Sequence, residues 1–237
     1  MSQDILITLH KKLRIKYLLD RILAWILLII LGPFILLIAF LIKLEGFLKP
    51  KHSGPAFHRE PRMSEGRVIQ MLKFRTVTTS HVRWIRDKPE SRSISYPTKN
   101  RTRMGKIIMN SYLDEMPQLW NIARGEMSFV GPRPDFIQMH KRTVQDGFMY
   151  SNHLRGGLLG IVQACKSNER HQLLFQGIAR QHTDRKELPQ MLDEFYLQWI
   201  IKSPPSKILL FDLFIVRKAL RTFFAGEKDD WLLMENG

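Results

Sequence analysis

Cysteine is nearly missing from this 237-residue chain: the single thiol, Cys165, excludes an internal disulfide and any metal centre built on clustered cysteines. That scarcity fits a reducing compartment, with Cys165 read as an ordinary packing residue. The eight histidines show neither an HExxH pair nor another ligand spacing, so His58, His140, His153 and His171 read as surface or structural groups rather than metal ligands. Acids are scarce as well. Lys and Arg number 37 against 22 Asp and Glu, a balance that attracts phosphate, whether in nucleotides, nucleic acid or anionic lipid headgroups. Nucleic acid gains nothing further, because no aromatic platform is interleaved with the basic residues and no recognition-helix pattern is present. There is no internal repeat and no low-complexity tract. The length suits one domain with a core and an appended element, not two full domains.

What the chain does have is one long apolar run. From Ile22 to Ile42, "ILAWILLIILGPFILLIAFLI" continues for 21 residues without a charge, the length a helix needs to cross hydrocarbon. It is too long for a cleavable signal peptide and lacks a small-residue cleavage site. Gly32 and Pro33 lie at its centre, where proline removes a backbone donor and crowds the preceding turn, so a bend is expected there. Two topologies fit: a kinked helix that spans, or a helix-break-helix hairpin that enters and leaves by one face. Lys11, Lys12, Arg14, Lys16 and Arg21 precede the run, and Lys43, Lys49, Lys51, Arg59, Arg62 and Arg67 follow it. With cations on both sides, the positive-inside tendency favours both ends in the cytoplasm.

Residues 50–66 are rich in Pro, Gly and charge and read as an irregular connection. "RVIQMLKFRTV" alternates well enough for a short strand carrying Lys73 and Arg75. Residues 78–104 are polar and basic with weak periodicity, which predicts a loop. Near the C-terminus, "SKILLFDLFIVRKALRTFF" has a helical pattern after Pro204 and Pro205. Its apolar stretch is too short to span and is broken by Asp212. With Lys207, Arg217, Lys218 and Arg221 around it, the segment reads as a helix lying in the headgroup region, a buried core helix being the alternative.

The chemistry concentrates in "LDEMPQLWNIARGEMSFVGPRP", residues 113–134. Met116, Leu119, Trp120 and Ala123 follow helical spacing, and Arg124-Gly125 supplies a stop. Pro117 is tolerable only in a first turn. Asp114 and Glu115 then fall at the helix N-terminus, where unpaired amides and the helix dipole favour negative charge. Asp114 is accordingly a candidate nucleophile or metal ligand, or simply an N-cap. In "GPRP", Pro132 and Pro134 hold Arg133 on a stiff extended backbone, suited to two-point phosphate recognition or to an exposed turn.

Taken in order, the broken apolar run, "SGPAFHREPR", "KFRTV", the 113–134 block and "LDEFYLQW…KILLFDLFIVRKALRT" resemble the bacterial sugar transferase family, the small monotopic phosphoglycosyl transferases that act on polyprenol phosphate. The likeness covers roughly residues 15–226. It implies a membrane-associated, mainly α fold with short β elements: a re-entrant N-terminal membrane hairpin (residues 1–45, with the basic flank) and a compact cytoplasmic catalytic domain with interfacial helices (residues 46–237). It implies an enzyme of the bacterial inner membrane that moves a sugar phosphate from a UDP-sugar to undecaprenyl phosphate and releases UMP, initiating exopolysaccharide, capsule, O-antigen or glycoprotein glycan assembly. In the family the aspartate of the Asp-Glu pair, here Asp114, attacks the β-phosphate and becomes a covalent phosphosugar. Asp114 would also help hold Mg²⁺, with Glu115 assisting. Arg133 within Pro132–Pro134, Lys73, Arg75 and Gln163 would face the anionic substrates. Membrane lipids are implied partners, nucleic acid is not, and downstream glycosyltransferases and a second copy of the chain are further candidates.

Two stretches depart from the family pattern. A basic residue usually stands shortly before the Asp-Glu pair, where this chain has Met109 and Asn110, so one phosphate contact is either lost or supplied by Lys106. The usual "RPGITGWAQVNGR" appears as "LRGGLLGIVQACKSN", keeping Arg155, Gly157, Gly160 and Gln163 but losing the proline, the tryptophan and the final arginine. These changes bear on sugar specificity. They also leave room for a membrane-anchored paralogue that binds without turnover, and an Asp-dependent phosphohydrolase would share the covalent intermediate.

Overall fold

In the computed structural model of the chain, the described residues are 3–82, 100–111, 113–162 and 188–225. Among them the protein is mainly helical with four short strands. Helix α1 runs Gln3–Leu48, β1 Phe57–Ser64, β2 Arg67–Phe74, α2 Arg103–Asn110, α3 Gln118–Ala123, β3 Ser128–Val130, α4 Ile137–Gln145, α5 Tyr150–His153, β4 Gly157–Leu159, α6 Leu188–Lys202 and α7 Pro205–Ala225. Two 3₁₀ turns, Pro50–His52 and Leu113–Glu115, complete the order.

Helix α1 is long and apolar enough to cross a membrane. Its helical residues continue through Gly32 and Pro33 without an intervening loop. Ile29, Ile30, Leu36 and Phe40 are each at least 60 % exposed, as lipid-facing side chains would be.

The chain packs as two units, one comprising Met1–Leu23, Pro61–Ile69 and Ile122–Gly237, the other Ala24–Glu60 and Gln70–Asn121. In the first unit, Leu9, Leu13 and Tyr17 lie one helical turn apart on α1 and share a buried core with Val130, Tyr150, Leu154, Leu192, Tyr196, Leu197, Ile200, Ile208 and Ile215. Strands β3 and β4 pair in parallel, Ser128 opposite Gly157 and Val130 opposite Leu159. Lys12 donates to Ile201 O at 2.5 Å, placing a cation on the carbonyl end of α6. Lys16 is buried, with Asp212 at 2.9 Å, Asp20 at 3.1 Å and Ser128 Oγ at 2.6 Å. Two cations of the basic flank are therefore structural: the amphipathic first third of α1 turns them inward.

In the second unit, α2 is capped twice. Thr102 Oγ1 accepts from Gly105 N at 2.9 Å, and the Glu45 carboxylate of α1 accepts from Arg103 N at 2.8 Å and Met104 N at 2.9 Å. Gly105 is required there, since a Cβ would stand 1.8 Å from Thr76 O. Within the stretch expected to be a loop, residues 79–82 are helical and Arg103 opens a helix whose start is fixed by a glutamate nearly sixty residues earlier in the chain.

Strands β1 and β2 form a two-stranded sheet around Glu65 (φ 50°) and Gly66 (φ 69°), the left-handed pair that a two-residue hairpin turn requires. Glu65 is held in this conformation by its N–H on Leu154 O at 2.9 Å and by its carboxylate on Arg155 Nε at 3.2 Å. The reading of residues 50–66 as wholly irregular is corrected: β1 occupies its second half, and Pro61 is accommodated in a sheet of only two strands, both of them edges.

Candidate active site

The "LDE" segment forms its own 3₁₀ turn, Leu113–Glu115, ahead of α3. Met116 N bonds Leu113 O at 3.2 Å, Leu119 N bonds Met116 O at 3.1 Å and Trp120 N bonds Pro117 O at 3.1 Å, so the turn feeds the helix through buried Pro117. The expected placement of Asp114 and Glu115 in the first turn of the helix is corrected accordingly. They lie in the 3₁₀ turn that leads into α3 rather than in the helix itself, and Glu115 is held there by Lys73 of β2. The expected apolar face is rotated too: Leu119, Ile122 and Ala123 are buried, while Trp120 is 41 % exposed with its ring edge-on to Trp25 at 5.7 Å.

Asn121 supplies the tertiary contact. Its Oδ1 accepts from Leu72 N at 2.9 Å and its Nδ2 donates to Gln70 O at 2.9 Å, so a side-chain amide occupies the outer edge of β2 as a further strand would. Docked in this way, α3 carries the carboxylate turn to β2, where Lys73 Nζ meets Glu115 Oε1 at 3.1 Å.

Asp114 lines a cleft together with His58, Glu60, Lys73, Phe74, Arg75, Thr76, Val77, Val82 and Met109. The hairpin explains this set. Arg75 N donates to Ala56 O at 2.8 Å, and with the two-residue turn this register sets Phe57 opposite Phe74 and His58 opposite Lys73. The stacked rings of Phe57 and Phe74, 5.4 Å apart, agree. Residues 58, 60, 73 and 75 then share one face of the hairpin.

The sequence-predicted residues fare differently. Asp114, Glu115, Lys73 and Arg75 come together in this unit. Arg75 is buried, however, and all three guanidinium nitrogens are engaged by backbone carbonyls: Nε by Pro55 O at 2.6 Å, Nη1 by Val77 O at 3.0 Å and Nη2 by His52 O at 2.9 Å. Burial holds its pKa below the usual arginine value. Its fork braces the loops at the cleft floor.

Pro132, Arg133 and Pro134 belong to the other unit. Both prolines are buried and Arg133 is exposed between them. Pro132 O accepts from Gly157 N at 2.7 Å, Pro134 O accepts from Arg62 Nη1 at 3.1 Å, and the Arg62 guanidinium lies 3.4 Å from the centroid of the Phe136 ring. The backbones approach so closely that a Cβ on Gly156 would meet Pro134 Cγ at 2.5 Å. Burial pushes the adjacent Asp135 carboxyl up to about 6, against the opposing effects of Tyr150 and Arg62. Arg155, kept from the family pattern, lies 4.0 Å from the centroid of the Tyr17 ring as well as on Glu65. Gln163 lies outside the described residues.

Sequence reasoning missed Asn121, Arg62 and the cleft-facing pair His58 and Glu60. The signal for that pair was the alternation of "FHREPRMS", obscured by Pro61. His58, expected to be a surface or structural group rather than a metal ligand, is a surface group of the cleft, its side chain 25 % exposed. Among the described residues no three His, Cys, Asp or Glu side chains gather to hold a metal ion. Mg²⁺ asks for less, commonly one or two carboxylates and the substrate's own phosphates, and Asp114 in this cleft meets that requirement.

Comparison with known proteins decides the family. A family model described as bacterial sugar transferase matches residues 11–203. The chain belongs to the bacterial sugar transferase family. Among its relatives, the UDP-glucose:undecaprenyl-phosphate glucose-1-phosphate transferase of Klebsiella pneumoniae is 30% identical over 154 residues, 62% of this chain and 30% of that protein. The protein of the same description from Xanthomonas campestris pv. campestris is 35% identical over 154 residues, 62% of this chain and 29% of that protein. The exopolysaccharide production protein ExoY of Sinorhizobium fredii is 30% identical over 164 residues, 63% of this chain and 68% of that protein. The chain thus spans about a third of the length of the first two relatives and two thirds of ExoY.

Proposed function

We propose that this chain is a phosphoglycosyl transferase that moves a sugar phosphate from a UDP-sugar to undecaprenyl phosphate, with Asp114 as nucleophile. The observation that carries the reading is a carboxylate turn docked by Asn121 beside β2, with Glu115 on Lys73 and Asp114 lining the adjoining cleft, within a chain of this family. An Asp114 oxygen attacks the β-phosphorus of the UDP-sugar, and the bond from that phosphorus to the bridging oxygen breaks. UMP leaves with the bridging oxygen and its electron pair. A phosphate oxygen of the acceptor then attacks the same phosphorus, the bond to Asp114 breaks, and the carboxylate is restored. Lys73 holds Glu115 in place beside the nucleophile and contributes positive charge where two anions must meet. Mg²⁺ held by Asp114, with Glu115 assisting, would neutralise part of the diphosphate charge. Arg133, presented by two buried prolines, grips phosphate in two-point fashion.

The membrane arrangement belongs to the same proposal. Helix α1 enters and leaves by the cytoplasmic face at Gly32–Pro33, and its cationic flanks support that topology. The relatives' names support undecaprenyl phosphate as acceptor and glucose 1-phosphate as a candidate group, and ExoY supports an exopolysaccharide pathway. Intact-protein mass spectrometry after mixing with UDP-glucose and Mg²⁺, without acceptor, should show an added hexose phosphate on Asp114 that undecaprenyl phosphate removes. Asp114→Asn should show neither adduct nor lipid-linked product. An adduct on another residue, or turnover in the Asn variant, refutes the mechanism. A binding paralogue, the reading that apolar Met109 in the cleft wall would favour, gives no adduct at all.

A further inference from the structure

Two tryptophans meet where the apolar run begins. Trp25 is the fourth residue of the uncharged stretch that opens at Ile22, directly after Arg21. Trp120 belongs to α3, the helix that follows the Asp114–Glu115 turn. Their rings lie 5.7 Å apart at an interplanar angle of 77°, an edge-to-face pair. Neither ring is consumed by a core: Trp25 is 46 % exposed and Trp120 41 %. One turn further along α1, on the side of Trp25, Ile29 is 75 % exposed. Asp114, Trp120, Trp25 and Ile29 all belong to the second unit. The ring pair therefore joins the helix of the carboxylate turn to an open apolar stripe on the membrane segment.

Trp25 also marks a level. Tryptophan is favoured where an apolar phase meets a polar one, and a position just inside a 21-residue apolar run, after its last flanking charge, is such a boundary. From Asp114 to Trp120 the chain rises about 9–12 Å at helical spacing, which keeps the nucleophile near the exposed ring.

We propose that Trp25 and Trp120 form the surface on which the first isoprene units of the acceptor's polyprenyl chain lie while its phosphate reaches Asp114. This rests on the reading of the chain as a transferase to undecaprenyl phosphate. Such a substrate divides between two phases: the phosphate must come to the carboxylate turn, and the hydrocarbon stays in the bilayer. The protein meets the chain where the two part, and apolar rings at that point cover it without stranding a polar group. A phospholipid has similar hydrocarbon, but only the acceptor brings its chain to the nucleophile in each turnover. The uracil ring of the donor could stack on a tryptophan too. A stripe that runs on to Ile29 fits a chain rather than a base, whose polar edge needs hydrogen-bond partners.

The test uses the 237-residue chain in lipid nanodiscs and separates the two half-reactions. The Asp114 adduct is formed with UDP-glucose and Mg²⁺, excess donor is removed, and discharge is followed against the concentration of undecaprenyl phosphate. Trp25→Ala and Trp120→Ala should each raise the half-saturating acceptor concentration about tenfold, equivalent to about 1.4 kcal/mol or roughly 55 Å² of lost apolar contact. The double variant should fall short of the product of the two effects, because the rings form one surface. Trp25→Phe and Trp120→Phe should recover most of the loss. A ring that only braces α3 would lower the maximal discharge rate at an unchanged half-saturating concentration, and that result overturns the proposal. So does a rise in the UDP-glucose needed for adduct formation with acceptor saturation unmoved, which assigns the pair to the donor. A second arm uses the wild type, so it decides the matter even where an Ala variant fails to fold. A prenyl phosphate carrying a diazirine in its first isoprene units should label the peptides of Trp25 and Trp120, and excess undecaprenyl phosphate should displace it. Label elsewhere, or label that is not displaced because ordinary bilayer lipid covers the pair, overturns the assignment. An adduct that discharges normally in both Ala variants overturns this inference alone, whereas no adduct in the wild type overturns the transferase reading and this inference with it.

Discussion

Asn121→Ala is the perturbation that tests whether the carboxylate turn is held by tertiary contact. Asn121 is 1 % exposed, and its amide closes two hydrogen bonds of 2.9 Å on the outer edge of β2. Truncation removes both and leaves Leu72 N–H and Gln70 C=O without that partner. A lost hydrogen bond is worth about 1 kcal/mol and a stranded buried partner about 1–3 kcal/mol. The edge of β2 is only part-buried and water reaches some of it, so the expected loss is about 2–3 kcal/mol. For a chain of this size that is a fall in Tm of about 4–12 °C, read by thermal denaturation in detergent. Asn121→Asp, which keeps the acceptor for Leu72 N–H but not the donor for Gln70 O, should fall between. Because the helix also carries the turn, the rate of adduct formation on Asp114 should drop by more than the unfolded fraction explains, measured well below the melting range. A loss under about 0.5 kcal/mol with an unchanged adduct rate would show that α3 is positioned by its apolar contacts alone.

Lys16→Met leaves Asp20 and Asp212 without their buried cation and should cost about 3–5 kcal/mol by chemical denaturation, whereas Lys16→Met combined with Asp20→Asn and Asp212→Asn should recover part of it, since both stranded charges are removed while Ser128 and Tyr196 keep an acceptor. Asp135 has a folded-state pKa raised to about 6 by burial, above its ordinary value, so the folded protein holds an extra proton between about pH 4 and 6 and loses stability as pH rises through that window. Asp135→Asn should therefore be close to neutral at pH 4 and stabilising by on the order of 2 kcal/mol at pH 8; equal effects at both would place the cost elsewhere. Arg133→Lys keeps the charge but not the planar fork, and should lower kcat/KM by about 10- to 150-fold, the equivalent of 1.5–3 kcal/mol for a hydrogen bond to a charged group. Wild-type kinetics would make Arg133 an ordinary turn residue.

The parts of the molecule that were legible in the sequence are those written in local pattern. The apolar run by its length, and the β2 strand and the C-terminal helix by their periodicity, are each found in regular elements. The cleft was legible only in part. Asp114 and Glu115 came from one contiguous block and Lys73 from the alternating strand pattern, but their juxtaposition depends on Asn121 reaching across to β2, a contact that no spacing rule contains. Arg75 shows the converse. A basic residue beside a strand invites a phosphate, yet three carbonyls from residues 52, 55 and 77 converge on its guanidinium. Sequence fixes the charge of a side chain, whereas tertiary packing decides whether that charge faces a ligand or the protein's own backbone. The β1 strand was hidden because Pro61 argues against a strand only when neighbours lie on both sides.

The two readings of the C-terminal helix, buried core or lipid headgroup region, are not competitors. Helix α7 buries Ile208, Asp212 and Ile215 on one stripe and exposes Leu210, Leu213, Phe214 and Leu220 on another, each of the latter at least 48 % accessible. A 3.6-residue period has room for both. Asp212, which interrupts the apolar run, is the residue that tells the stripes apart: it belongs to the inner one, where it meets Lys16 at 2.9 Å and the Tyr196 hydroxyl at 2.5 Å. Helix α1 divides its surface in the same way, with Leu9, Leu13 and Tyr17 inward and Ile15, Leu18, Leu19 and Ile22 outward. An apolar residue facing outward on a helix whose opposite face already fills a core is not needed for folding. In water it would be a liability, and such an outer stripe is what the expected position in the headgroup region calls for. That pattern of exposure is present whether the Gly32–Pro33 segment spans or returns.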